Sequence, residues 1–336
     1  MLKHRKLLIL ALLLVTLGIV AAMLYRQAVR PPEAVRLLPD GDRLIYINLK
    51  PAHLLDLSKS KPVQLEAGYQ DFVEKTGIEY ERDLDEVAVS QLDVTNGGEV
   101  ASSEVFVGRF DPVRLTNYLR GVSSQTESYR NRTIFMIPHD GHTVRACVMD
   151  GSRVAVTNMN SPEPMHSILD RAQQPSSGPD LVRAYYGHVP FGSLAWIIAR
   201  FPANSSVAQV PGGFNFSFLE NTVAVASVRY SGAAALKADL IAGNEEEARH
   251  IVGQVQTFLT MSRAVAGTFR PRGGDADVKA AIDSVQIVQK ENVATVTATL
   301  SEKFLKKMLS GVEAEVVTSA PSTSPSPTPP APKRRP

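Results

Sequence analysis

The chain has 336 residues, 44% of them apolar and 21% charged, enough length and apolar content for one large or two ordinary packed domains, which excludes a chain disordered throughout. Its formal charge of +2 is unevenly spread, because residues 1–30 carry Lys3, Arg5, Lys6, Arg26 and Arg30 with no acid, and the chain's end adds Lys333, Arg334 and Arg335. Without those eight, 28 basic residues face 34 acidic ones, so the folding body carries −6, and with no Lys/Arg cluster in it nucleic acid is excluded as a partner.

Residues 1–6 read as a cytoplasmic tip. From Leu7 to Tyr25 runs an uncharged apolar stretch of 19 residues, which as a helix rises roughly 28 Å, enough to cross a hydrocarbon layer of about 30 Å. Lys3, His4, Arg5 and Lys6 ahead of it outweigh the dispersed Arg26 and Arg30 behind it, which places the N-terminus in the cytoplasm and the body outside, periplasmic or at the cell surface. The lipid bilayer is thus the first expected partner. A cleaved secretory signal, cut near Ala22 in Val20-Ala21-Ala22 and releasing a secreted body, is the alternative.

Residues 26–36 read as a linker, 37–173 as a first α+β unit, 174–184 as a second linker and 185–317 as a second α+β unit. Each unit is expected to be an antiparallel sheet of four or five strands with helices on one face. Three patterns recur in order and point to a tandem duplication. Pro39-Asp-Gly41 feeding Leu44 to Ile47 is echoed by Pro190-Phe-Gly192 feeding Trp196 to Ile198. Leu84 to Ser90 resembles Leu219 to Ser227, and each is followed by a second strand and a capped helix. Asp111 caps the first with Pro112 at its opening position; Asn244 caps the second, with Glu247 at capping-box spacing. Each unit closes with strand-like runs and a Ser-capped helix, Ser161 leading to Met165, Ile168 and Leu169, and Ser301 leading to Phe304, Leu305, Met308 and Leu309 with a stop at Gly311. An additional helix is expected near Leu65 to Thr76, and strands over Ile282 to Val288 and Val293 to Leu300. From Thr318 the Pro/Ser/Thr-rich tail buries no apolar surface and reads as disordered.

Candidate chemistry is sparse. His139, Asp140 and His142 put three potential metal ligands in four residues, but Asp140-Gly141 between alternating runs is a hairpin signal and no motif supplies a further ligand. Asp40-Gly41-Asp42 and Gly273 to Asp277 lack the ligand spacing of a calcium loop. Cys147, the single cysteine, lies in a β-like run and reads as a small buried hydrophobe. No Gly-x-Ser-x-Gly, His-Glu-x-x-His, Walker or Gly-x-Gly-x-x-Gly motif occurs, and no cofactor is implied. His53, His166, His188 and His250 are unassigned.

The short basic N-terminus, one apolar span, Arg30-Pro31-Pro32 and then Leu37-Leu38-Pro39 before an apolar strand resemble uncharacterised bacterial membrane-anchored ectodomain families. That resemblance implies a bacterial envelope location and no site residues. The function expected is a membrane-tethered extracytoplasmic binding or scaffolding module, offering a sheet face or the groove between halves to an unknown envelope protein or polymer. The alternatives are an envelope hydrolase whose site assembles only in the fold, near His139 and His142, and a passive structural spacer.

Overall fold

The computed structural model describes residues 30–51, 67–96, 99–174, 178–210, 214–268 and 275–305. The span from Leu7 to Tyr25, the helix beyond Leu305 and the tail from Thr318 lie outside these residues. Among the described residues no helix is long and apolar enough to cross a membrane.

The chain is α+β, built on a large antiparallel sheet. Its strands are β1 (Arg43–Asn48), β2 (Leu84–Asn96), β3 (Glu99–Gly108), β4 (Gln125–Tyr129), β5 (Arg132–His139), β6 (His142–Val148), β7 (Arg153–Thr157), β8 (Ala195–Phe201), β9 (Ser205–Val210), β10 (Phe214–Phe218), β11 (Thr222–Tyr230), β12 (Ala233–Ile241), β13 (Gln286–Lys290) and β14 (Val293–Ser301). Twelve of these join in the order β13-β14-β12-β11-β8-β1-β2-β3-β7-β6-β5-β4, while β9 and β10 form a separate hairpin. The turns behave as their residues require. Asp140-Gly141 has φ of 41° and 82° and Arg130-Asn131 has φ of 50° and 60°, the paired positive values of a two-residue hairpin turn.

The two halves are not separate sheets of four or five strands. β1 pairs antiparallel with β8, Leu44 opposite Ile198 and Tyr46 opposite Trp196, so one sheet runs through both. Read outward from that pair, the first half goes β1-β2-β3-β7-β6 and the second β8-β11-β12-β14-β13, the same order of corresponding strands. The glycines of the repeated Pro-x-Gly turns answer different needs. A Cβ on Gly41 would sit 2.8 Å from the Gln91 carbonyl oxygen of β2, whereas Gly192 has φ of +76°.

The helices are α1 (Glu33–Leu37), α2 (Ala67–Thr76), α3 (Tyr80–Asp83), α4 (Pro112–Val122), α5 (Glu163–Gln173), α6 (Asp180–Tyr185), α7 (Glu245–Thr268) and α8 (Asp275–Asp283). They cover both sheet faces, not one. On the first face α1, α5 and α6 bury Val35, Ile168 and Leu181 against Leu44, Tyr46, Trp196 and Ile198. On the second, α2 and α4 cover Phe106, Phe135 and Val154 at one end, and α7 covers Leu240 and Ala294 towards the other. Both expected linkers are partly core: Pro32-Glu-Ala-Val-Arg36 and Pro179-Asp-Leu-Val-Arg183 are a fourth repeated pattern, each a short helix with its apolar pair at most 2% exposed. Proline and an acid at a helix start suit the missing N–H and the dipole, and the pair behind them is the buried face.

Capping follows the sequence with two corrections. Asp111 accepts from the amides of Val113 and Arg114 at 2.9 and 3.1 Å. Asn244 accepts from the Glu247 amide at 2.9 Å, but the buried Glu247 carboxylate accepts from the Leu219 amide in another loop. Ser161 accepts from Glu163 at 3.3 Å and α5 begins there, one residue after Pro162. Ser301 accepts from the Phe304 amide at 3.2 Å, as expected. The strand expected over Ile282 to Val288 starts at Gln286, because α8 occupies the residues before it.

Trp196 stacks on Tyr46 across the junction, centroids 5.6 Å apart, and is 3% exposed. Trp196→Ala is expected to cost about 3–5 kcal/mol in equilibrium urea unfolding followed by circular dichroism. Because the junction is shared core, wild type and variant are each expected to unfold in one transition; two resolved transitions would show that the halves are independent.

Candidate functional site

In an antiparallel ladder, residues directly opposite one another point to the same side of the sheet, and neighbours along a strand point to opposite sides. That rule assembles two apolar rows on the second face. One is Val89-Ile45-Ile197-Ala226-Ala238-Val296, the other Val87-Ile47-Ala195-Val228-Leu236-Ala298. The next row towards α7, through Ala199, Ala224, Leu240 and Ala294, includes the residues that α7 covers. From β1 to β14 the two rows lie beyond its cover and line a trough of about 570 Å³, to which Val285 after α8 also contributes; Val87 and Val89 of β2 lie outside the lining.

The trough has no polar floor. Ser227 and Lys237 border it, but each lies between two trough residues on its strand, so each side chain points to the first face. Four alanines, Ala195, Ala226, Ala238 and Ala298, give it depth between isoleucine, valine and leucine walls. Ile47 is 39% exposed at its rim. The volume is that of a small-molecule site, and the lining is more uniformly apolar than most.

Behind the trough, the first face of the second half is polar. Asp239, 3% exposed, accepts from Lys237 Nζ at 2.7 Å and Thr295 Oγ1 at 2.8 Å, and its Oδ2 lies 3.0 Å from His188 Nδ1. Burial pushes the Asp239 carboxyl up, but these three partners together hold it below the usual carboxylate range. The cluster orients an imidazole beside a buried carboxylate, and among the described residues no hydroxyl or thiol is hydrogen-bonded to His188. Sequence reading missed it. The available signal was Lys237 and Asp239 two apart in an otherwise apolar strand, which places both on one face.

The metal candidates are brought only partly together. His139 and His142 face one another across the hairpin, rings 5.5 Å apart, while Asp140 is at the exposed tip with Oδ2 3.9 Å from His139 Nε2. Among the described residues no three His, Cys, Asp or Glu side chains are grouped to hold a metal. Asp40 and Asp42 serve as turn acceptors, from the Asp180 amide at 2.7 Å and the Asp93 amide at 3.1 Å. Cys147 is fully buried, and that burial pushes its thiol up to about 11, so at neutral pH it is a neutral hydrophobe.

No family model matches the chain, and no curated protein matches it. Among solved structures it is similar to three crystal forms of TP0453. Form IV shares 11% identity at a TM-score of 0.43, covering 83% of this chain and 97% of that one. Form III shares 12% at 0.44, covering 84% and 99%, and form I 11% at 0.44, covering 84% and 98%. Likeness this slight carries no argument about function.

Because the folded Asp239 carboxyl titrates below its unfolded value near 3.9, its contribution to stability is complete above that value and is lost as the pH falls through the lower folded value. Asp239→Asn is expected to lower the melting temperature at pH 7 and to flatten its fall between pH 5 and about pH 3. A variant curve that runs parallel to wild type over the acid limb would remove Asp239 from the linked groups.

Proposed function

We propose that this protein is a membrane-tethered, extracytoplasmic binding module of the cell envelope, made of two similar α+β units that arose by tandem duplication, with its binding site in the trough where the units meet. The observation that carries this reading is the trough itself. Helices cover both ends of the second face, α8 packs beside β14, and among the described residues the apolar side chains between them line an open trough. An apolar strip left open on a folded surface is retained where something covers it in use. The corresponding strand orders of the two halves support the duplication, together with the four repeated sequence patterns. The apolar run from Leu7 to Tyr25 and the basic residues before it support the tether and the orientation.

A passive spacer has no use for an open trough. The enzyme reading, centred on His139 and His142, is less well supported, because these residues flank a hairpin turn and are not among the trough's lining.

Two measurements test the proposal. In a membrane fraction washed with alkaline carbonate, the full chain is expected to stay in the pellet with its original N-terminus; recovery as soluble protein starting near Met23 would replace the tether with a cleaved signal. For binding, Ile47→Cys is expected to react with a membrane-impermeant maleimide in spheroplasts, whose cytoplasmic membrane is intact and any outer membrane opened, which reports an extracytoplasmic location, but about tenfold more slowly than in the purified full-length protein, as for a site with ligand at roughly ten times its Kd. Val113→Cys, 67% exposed on α4, is expected to react equally in both and serves as the control. Equal rates for Ile47→Cys would remove the binding reading, and reaction only after lysis would remove the orientation.

A further inference from the structure

We infer that the trough takes one unbranched acyl chain of a membrane lipid, an assignment that rests on the binding reading above and names its ligand. The shape selects a linear molecule. The strands contributing to the lining are β1, β8, β11, β12 and β14, five neighbours in the sheet, so the trough runs about 19 Å across the strands. Along the strands it is two same-face residues wide, about 7 Å. A length nearly three times the width fits an extended hydrocarbon and not a fused-ring or globular group.

The chemistry selects a molecule with nothing to hydrogen-bond. Every side chain aimed into the trough is aliphatic, and the backbone N–H and C=O groups of its floor are engaged in the ladders that join the five strands. An apolar peptide laid there would bring its own backbone donors and acceptors, each costing on the order of 1–3 kcal/mol if buried without a partner. A methylene chain brings none and gains from burial along its whole length. Position adds the source of the ligand. Only seven residues separate Tyr25, the end of the apolar span, from Glu33, the first residue of α1, a reach of at most about 28 Å. The body is thereby confined close to the lipid surface, where acyl chains are the most abundant apolar molecules.

The experiment uses the full-length protein reconstituted in vesicles of phosphatidylethanolamine and phosphatidylglycerol. Ile47→Cys carries a benzophenone maleimide; the single native cysteine is buried and does not compete. After irradiation, intact-mass analysis is expected to show addition of one phospholipid, at about tenfold the yield obtained from the same label on Val113→Cys. Adding Ala226→Trp, which fills the floor from its centre, is expected to cut the lipid adduct about tenfold, as is Val228→Glu, which puts a charge in the trough and guards against an overpacked variant that misfolds. Both variants are checked by circular dichroism. Equal lipid adducts from the two label positions would show mere closeness to the bilayer and overturn the inference. Adducts insensitive to both trough variants would overturn it too, as would a crosslink to this chain's own residues beyond Leu305 or to a second copy. If Ile47→Cys is shielded in spheroplasts but gives no lipid adduct in vesicles, the binding reading survives and the acyl-chain assignment fails; loss of both removes the site altogether.

Discussion

Without the pairing of β1 with β8 there would be two half-sheets, each with its first strand as a naked edge. Unpaired strand edges recruit other chains, and a short edge strand such as Arg43–Asn48 gains little by itself. Joining edge to edge satisfies both backbones at once. It also places Tyr46 against Trp196, where the two rings and the Tyr186 ring packing edge-on against Trp196 seal the middle of the first face. The Tyr46 hydroxyl is deeply buried, and burial first and the neighbouring Glu86 carboxylate second push it far above the ordinary phenol value. Half-exposed Lys50 donates to Glu86 at 2.9 Å.

The same junction explains the trough. Each half brings helices to the second face over its outer strands, since α4 follows β3 in the first half and α7 follows β12 in the second. When the halves meet at their first strands, these helices are carried to opposite ends of the sheet. Between them, the central strands keep the aliphatic character of buried strands where, among the described residues, the second face stays open. The trough is therefore a consequence of how the units are joined, and neither unit alone would contain it.

The two faces of the second half show the physical division of labour. β12 carries Leu236, Ala238 and Leu240 towards the second face and Lys237 and Asp239 towards the first. Asp239 is tolerated there because three partners meet its oxygens, which turns a costly buried carboxylate into a fixed polar centre. A single strand thus lines an apolar site on one side and anchors an ionic cluster on the other.

Much of the local structure was legible from residues alone. Asp140-Gly141 specified its hairpin, Asp111 and Asn244 specified helix starts, and apolar strand-like runs marked β8 and β14, because turn geometry, cap hydrogen bonds and strand propensity are set by neighbours in the chain. What the residues could not disclose was that Ile47 and Ala195, 148 positions apart, would sit side by side, or that His188 would reach Asp239. Local rules fix which way a side chain points from its own strand; they do not fix which strand lies next to it. The short helices of Pro32 to Arg36 and Pro179 to Arg183 passed as linkers for a related cause, since five or six residues show no periodicity and only the packed core reveals their apolar pairs as buried. The sequence by itself determined most strands and the longer helices, the Asp111, Asn244 and Ser301 caps, the Asp140-Gly141 turn, and the apolar run from Leu7 to Tyr25. Only the tertiary structure decided that two half-sheets become one and that a trough opens between their helices, because edge pairing and helix cover are long-range choices made by burial.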